Sequence, residues 1–222
     1  MGKGLFVTAT GTDIGKTYVT ALMVKKLTEA GCRAGYYKAA LSGAESIEES
    51  DAGYVKRISG IEQDDRTLLS YLYESAVSPH LAARIEGNPA DMEKVKADYR
   101  SVLGQYDYIT VEGSGGIVCP IRWDSGHKIL LEDIVKALDL PAVIVADAGL
   151  GTINSAVLTA EHLKNCGIEA KGIILNRYSG GMMQEDNIQM IESLTGLPVL
   201  TLVAQGDAAL ALDIKALMSL YR

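Results

Sequence analysis

Apolar residues fall along this chain in short unbroken blocks, and between the blocks they recur at helical spacing. Segments 5–7, 33–38, 106–111, 142–146, 172–175 and 199–203 read as strands. At least five are near-continuous apolar runs, the pattern of strands covered on both faces. Segment 18–30 carries Val19, Leu22, Met23 and Leu27 on one helical face, with Gly31 as its C-terminal stop. Ser50-Asp51 reads as a helix start, with Tyr54, Val55 and Ile58 as the apolar face and Gly60 as the end. Ser78-Pro79 opens a helix to about Ile85, and Asp91 caps one over 92–103 that stops at Gly104. Further helices are expected over 131–138, 153–164, 185–194 and 208–220, whereas 63–77 has no clear period. Alternating strands and helices predict an α/β fold: one domain over 1–222, doubly wound, with a mainly parallel sheet and helices on both faces. No repeat, low-complexity tract or linker interrupts it. In such sheets ligands bind beyond the carboxyl ends of the strands, and the glycines collect in those loops.

The first of these loops follows segment 5–7 and reads Ala9-Thr10-Gly11-Thr12-Asp13-Ile14-Gly15-Lys16-Thr17. Strand, glycine loop and helix start make a P-loop arrangement. Gly11 and Gly15 allow positive φ, so that several N–H groups turn into one concavity, and the helix N-terminus adds donors and partial positive charge. Lys16 is placed for the β- and γ-phosphates and the Thr17 hydroxyl for Mg²⁺. Thr10 stands where the usual pattern has its first glycine.

A second glycine turn, Gly113-Ser114-Gly115-Gly116, follows Glu112, and a third, Gly149-Leu150-Gly151-Thr152, follows segment 142–146. A carboxylate at Glu112 is placed to bind or orient Mg²⁺. Asp51 reads either as a metal ligand or as the cap of its helix, position favouring the cap. Lys38, taken as the end of the second strand, reads either as a second cation of the site or as a solvated lysine. His80, His127 and His162 share no metal-ligand spacing and read as structural or surface residues. Cys119 reads as a small core filler.

Charge and cysteine content narrow the function. A net charge of −7 over 222 residues, with no long lysine/arginine run, argues against a nucleic-acid partner. Cys32, Cys119 and Cys166 form no Cys-x-x-Cys pair, as expected in a reducing compartment. No leader or membrane-length apolar run is seen, so a soluble cytoplasmic protein without membrane contact is expected.

Taken together the motifs resemble the dethiobiotin synthetase family. Its loop Gly-Thr-Asp-Thr-x-Val-Gly-Lys-Thr is similar to residues 9–17, and its Tyr-Lys-Pro-x-x-Ser-Gly to Tyr37-Lys38-Ala39-Ala40-Leu41-Ser42-Gly43. Ser50-Asp51, Ser78-Pro79-His80, Val111-Glu112-Gly113-Ser114-Gly115-Gly116 and Leu150-Gly151-Thr152-Ile153-Asn154 follow in the family's order. The resemblance implies an ATP- and Mg²⁺-dependent ligase of biotin synthesis that closes a ureido ring on 7,8-diaminopelargonate with CO2. It implies ATP contacts from Asp13, Ile14, Gly15, Lys16, Thr17, Tyr18 and Glu112, with Asn176 at the adenine. Thr17, Asp51 and Glu112 become the metal ligands, and Lys16 and Lys38 flank the transferred phosphoryl group. Thr12 and Ser42 take part in catalysis at the diamine, Gly115 and Gly116 line the substrate, and Gly151 and Asn154 hold its carboxylate from the other subunit of a homodimer. The chain departs from the family at Ala9, Ala39, Asp147 and Ala204-Gln205. Two other readings share the loop style. An amidoligase resembling cobyrinic acid synthases needs a glutaminase domain, for which the chain is too short. A scaffold ATPase of the deviant Walker type needs a lysine where Gly11 stands.

Overall fold

The apolar block at the start of the chain becomes β1 (Lys3–Ala9), buried from Gly4 onward. The computed structural model describes residues 2–222. After β1 come α1 (Lys16–Glu29), β2 (Ala34–Ser42), α2 (Asp51–Ser59), β3 (Leu69–Tyr73), α3 (Pro79–Ile85), α4 (Met92–Leu103) and β4 (Tyr108–Glu112). The second half holds β5 (Pro120–Trp123), β6 (Lys128–Leu130), α5 (Leu131–Ala137), β7 (Ala142–Asp147), α6 (Thr152–Asn165), β8 (Ala170–Asn176), α7 (Met182–Thr195), β9 (Val199–Val203) and α8 (Ile214–Ser219). Seven strands form one sheet in the order β3-β2-β4-β1-β7-β8-β9, every neighbouring pair parallel.

Helices cover both faces, as the continuous apolar runs require. On one face Val19, Leu22, Met23 and Leu27 of α1 pack with Ala52 and Val55 of α2 and Leu217 of α8 against β1, β7 and β8. On the other, Val95 and Tyr99 of α4, Ile134 of α5, Ala156 of α6 and Ile191 of α7 form the second core. Close approach fixes Gly4: a Cβ there would stand 2.1 Å from the Tyr99 hydroxyl and 2.4 Å from a Leu140 methyl. The backbone of Gly4 also exchanges two hydrogen bonds with Arg222, at 2.7 and 3.1 Å. Beside it the Tyr221 hydroxyl meets that of Thr110 on β4 at 2.7 Å.

Five features differ from the sequence reading. Segment 63–77 holds a 3₁₀ turn (Asp65–Thr67) and the edge strand β3, whose mixed polar and aromatic residues belong to a strand covered less evenly than the central ones. The buried Gln63 side chain accepts from the Tyr36 N–H and donates to the Tyr36 carbonyl, both at 2.8 Å, and so extends the pairing of β2 below the point where β3 begins. β5 and β6 form a separate antiparallel hairpin around the turn at Asp124, whose Oδ1 accepts from Gly126 and His127 N–H groups. β2 runs on to Ser42, four residues past Lys38, because β3 gives it a partner there. The last helix is short, starting at Ile214 behind an Asp213 cap rather than at residue 208. On α2, Ile58 is exposed, and Ala52, Val55 and Ser59 make the buried face instead. Among the described residues no helix is long and apolar enough to cross a membrane.

Candidate active site

The carboxyl ends of β1, β2 and β4 open onto a cleft of about 930 Å³ whose walls include Thr12, Asp13, Lys16, Thr17, Lys38, Ser42, Asp51, Gly115 and Arg177. At its floor four charged side chains meet. Glu112, the last residue of β4, is fully buried, and its Oε1 accepts from Lys16 Nζ at 2.9 Å, Lys38 Nζ at 3.0 Å and the Thr17 hydroxyl at 2.8 Å. Lys38 Nζ also reaches Asp51 Oδ2 at 2.5 Å. From behind, the buried Tyr36 hydroxyl donates to the other oxygen, Glu112 Oε2, at 3.2 Å. Register explains the meeting. Tyr37 pairs with Val111, so Lys38 stands level with the end of β4, where Glu112 turns into the glycine loop.

Ser50 caps α2: its Oγ accepts from the N–H groups of Ala52 and Gly53 at 3.2 and 3.4 Å. That corrects the reading of Asp51 as the cap. Asp51 stands one residue further on, in the first turn, with its carboxylate free to turn toward Lys38. Lys38 is likewise neither solvated nor at the end of its strand.

Burial works against the charges of Lys16, Lys38 and Glu112, so pairing decides their protonation states. For Glu112 burial pushes the carboxyl up, but Lys16 and Lys38 override it and hold it down at about 2. Burial pulls Lys38 down, and Glu112 and Asp51 together raise it above the ordinary lysine value. Lys16 lies below that value, because burial and the neighbouring Lys38 outweigh Glu112. Two cations and two carboxylates thus balance one another. Thr17, Glu112 and Asp51 offer only oxygen donors on one side of the cleft, a set that fits a hard divalent cation such as Mg²⁺.

The loop above this floor is held in a strained shape. Asp13 has φ +60° and Gly15 φ +85°, so the backbone folds back before α1 begins. Only glycine fits at position 15, since a Cβ would lie 2.1 Å from Asn176 Nδ2. Asn176 donates to the Ile14 carbonyl at 2.8 Å, which places it against the back of the loop. Arg177, itself at φ +59°, donates to the Asp13 carbonyl and to Asp147 Oδ2, the latter at 2.9 Å. Asp147 in turn accepts from the Gly149 N–H at 2.7 Å. The Tyr18 hydroxyl donates to the Asp207 carbonyl, in the turn that follows Ala204. Tyr36 and Arg177 were not singled out by sequence, and Asp147 stood out only as a departure from the family pattern. For Arg177 the one available signal was its place directly after a strand, next to Asn176.

The remaining sequence candidates divide. Thr12, Ser42 and Gly115 line the cleft, the Ser42 hydroxyl donating to the Val77 carbonyl at 2.6 Å. Gly116 packs on the P-loop, where an added Cβ would touch the Ala9 carbonyl at 3.5 Å. Gly151 and Asn154 are not among the residues that line this cleft: both are exposed at the start of α6, beside an almost fully exposed Leu150. Cys119 is buried against the cleft wall, and burial raises its thiol to about 11.

Similarity to known proteins agrees with this geometry. Solved structures with the same fold include a ParA family ATPase from Chlorobium tepidum TLS, at 17% identity and a TM-score of 0.60, covering 99% of this chain and 90% of that one. The MinC:MinD cell division protein complex of Aquifex aeolicus matches at 18% identity and a TM-score of 0.59, over 92% and 82% of the two chains. Residues 3–207 match the family described as an AAA domain. Several curated relatives bear the name ATP-dependent dethiobiotin synthetase BioD. That of Brachyspira hyodysenteriae is 50% identical over the full length of both chains. That of Clostridium botulinum strain Langeland is 54% identical over 183 residues, 81% of this chain and 80% of its own. With the P-loop, the buried lysine–glutamate floor and this identity in place, the chain belongs to the ATP-dependent dethiobiotin synthetase family.

Proposed function

We propose that this protein is an ATP-dependent dethiobiotin synthetase, which joins CO2 to 7,8-diaminopelargonate and closes the ureido ring. The observation that carries the reading is the floor of the cleft, where Lys16, Lys38, Thr17, Asp51 and Glu112 converge under a P-loop. One amine of the diamine takes up CO2 and loses a proton, giving a carbamate. A carbamate oxygen attacks the γ-phosphorus, the bond from that phosphorus to the bridging β,γ-oxygen breaks, and ADP leaves. The second amine then attacks the carbonyl carbon, loses a proton and expels phosphate.

This chemistry asks for position and charge rather than a protein nucleophile. The αL turn at Gly15 and the start of α1 present N–H groups to the phosphates. Lys16 and Lys38 neutralise the charge that grows between carbamate and γ-phosphate. Thr17, Asp51 and Glu112 are the residues that would hold Mg²⁺, and the ion would supply further neutralisation of the phosphate oxygens. With the cation held by those three residues, Lys16 and Lys38, now paired with the carboxylates, would be left to face the phosphates. Thr12 and Ser42 stand in the cleft to bind the diamine, beside Gly115 and Gly116, while Asn176 and Tyr18 lie on the side assigned to the adenine.

Gly151 and Asn154 are assigned to the substrate carboxylate of a neighbouring subunit. The support is their place outside their own cleft, with exposed Leu150, Leu158 and Met182 at hand to form an apolar contact between two copies. Three free cysteines suit a reducing cytoplasm.

The test is direct: purified protein, diaminopelargonate, bicarbonate and MgATP, followed by phosphate release and by dethiobiotin. Diamine-dependent release of phosphate with equimolar dethiobiotin is expected. Phosphate release that ignores the diamine overturns the assignment. For the shared site, Asn154→Ala mixed with Lys16→Ala is expected to regain activity that neither has alone, and no regain rejects it.

A further inference from the structure

Away from the phosphate cleft, three donors of different chemistry meet between α5 and α6. Glu132 stands in the first turn of α5, and His162 and Cys166 lie one helical turn apart at the end of α6. His162 Nε2 is 3.1 Å from Glu132 Oε1 and 3.5 Å from Cys166 Sγ. All three donor atoms fall within 4.8 Å of one another. The sequence reading compared histidines only with each other, and this cluster mixes residue types from two helices.

Carboxylate and thiol approach the same ring nitrogen. A Cys-His-acid nucleophile relay places them on opposite ring nitrogens, so this arrangement is of another kind. One nitrogen carries at most one hydrogen and does not serve both neighbours. The second carboxylate oxygen, Glu132 Oε2, is buried without any hydrogen-bond partner among the described residues, on a side chain only 7% exposed. A buried carboxylate oxygen left unpaired is costly, and a cation held by the same carboxylate offsets that cost.

The spacing suits one. Bonds of about 2.3 Å to sulfur and 2.0–2.2 Å to nitrogen and oxygen place neighbouring donors of a tetrahedral zinc about 3.3–3.6 Å apart. The two observed separations, 3.1 and 3.5 Å, lie close to that. A sulfur, nitrogen and oxygen set selects a borderline metal over Mg²⁺. His162 and Cys166 stay partly exposed, which leaves solvent access for a fourth ligand. The last carbonyls of α6 add partial negative charge there.

We propose that Glu132, His162 and Cys166 bind a zinc ion that clips α5 to α6, separately from the reaction site. On binding, the Cys166 S–H bond gives way to a sulfur–zinc bond and the proton passes to solvent.

The experiment uses the whole chain, stripped with chelator and titrated with Co²⁺ alone, reading the thiolate-to-cobalt charge-transfer band. That band reports sulfur ligation, and its loss in Cys166→Ser separates this site from metal in the phosphate cleft, whose wall includes Cys119. A band that saturates at one Co²⁺ per chain and is bleached by one equivalent of Zn²⁺ is expected. Cys166→Ser should abolish it, His162→Gln and Glu132→Gln should weaken binding at least about tenfold, and Cys32→Ser should leave it unchanged. No band in the wild-type chain, or one that survives Cys166→Ser, overturns the proposal. Where Cys166→Ser fails to fold by circular dichroism, the other two substitutions decide, and unchanged Co²⁺ affinity in both overturns it equally.

Discussion

Helices α1 and α6 start alike. Each follows a central strand, each spans 14 residues, and each is preceded by a glycine in the left-handed region, Gly15 at φ 85° and Gly151 at φ 89°, with no side-chain cap. Both therefore present uncapped N–H groups to an anion. Their surroundings differ. Behind α1 lie the paired charges of Lys16, Lys38, Glu112 and Asp51, and the loop is braced by Asn176 and Arg177. Around the start of α6 stand exposed Leu150 and a buried Thr152 whose hydroxyl has no partner. A helix start supplies attraction for negative charge in general. The neighbours decide which anion each start suits, and they separate the triphosphate site proposed at α1 from the single-carboxylate seat proposed at α6.

The largest effect that would sharpen this contrast is expected at the floor of the α1 site. Lys16→Ala and Lys38→Ala should each lower kcat by about 10²–10³-fold or more, the range for removing one donor from a developing anion. Dethiobiotin formation near the wild-type rate in either would break the assignment. Next comes the pair of glycines. Gly15→Ala adds a Cβ that collides with Asn176, on top of the strain of positive φ, and should cost at least tenfold in apparent ATP affinity by isothermal titration. Gly151→Ala meets nothing within 4 Å. It should cost only the conformational penalty of about 1 kcal/mol, seen as a rise in KM for the diamine with ATP affinity unchanged. Equal losses of ATP affinity in the two variants would erase the distinction between the helices.

A smaller effect is expected in acid. The Glu112 carboxyl is held at about 2 against an ordinary 4.5. Its contribution to stability is therefore complete above pH 4.5 and lost as the pH falls toward 2. Glu112→Gln keeps the shape of the side chain and removes this titration, so the thermal midpoint should fall less steeply with acid over that window. An unchanged slope would mean that the charge cluster does not couple to folding.

Much of this was legible in the sequence because it depended on local rules. Six of the seven sheet strands announced themselves as apolar runs, since strands covered on both faces have no polar side to show. Lys16, Thr17 and Glu112 stood out because phosphate chemistry ties residue types to strand ends and helix starts, and the structure brings the three into contact. The misses have a shared cause. β3 is an edge strand with mixed residues, and the pairing that lengthens β2 comes from it, so neither could be read from its own stretch. Tyr36 and Arg177 reach the site through register and tertiary approach. Asp51 was weighed as a cap because its neighbour Ser50, which does the capping, competes for the same position.

The exchange of hydrogen bonds between Gly4 and Arg222 completes the pairing of β1 at its lower end. Below Phe6 that strand has β4 on one side only, because β7 begins opposite Phe6, and Arg222 fills the vacant side. The strand that leads into the nucleotide loop is therefore closed by residues remote in sequence, a contact of the kind that slows folding.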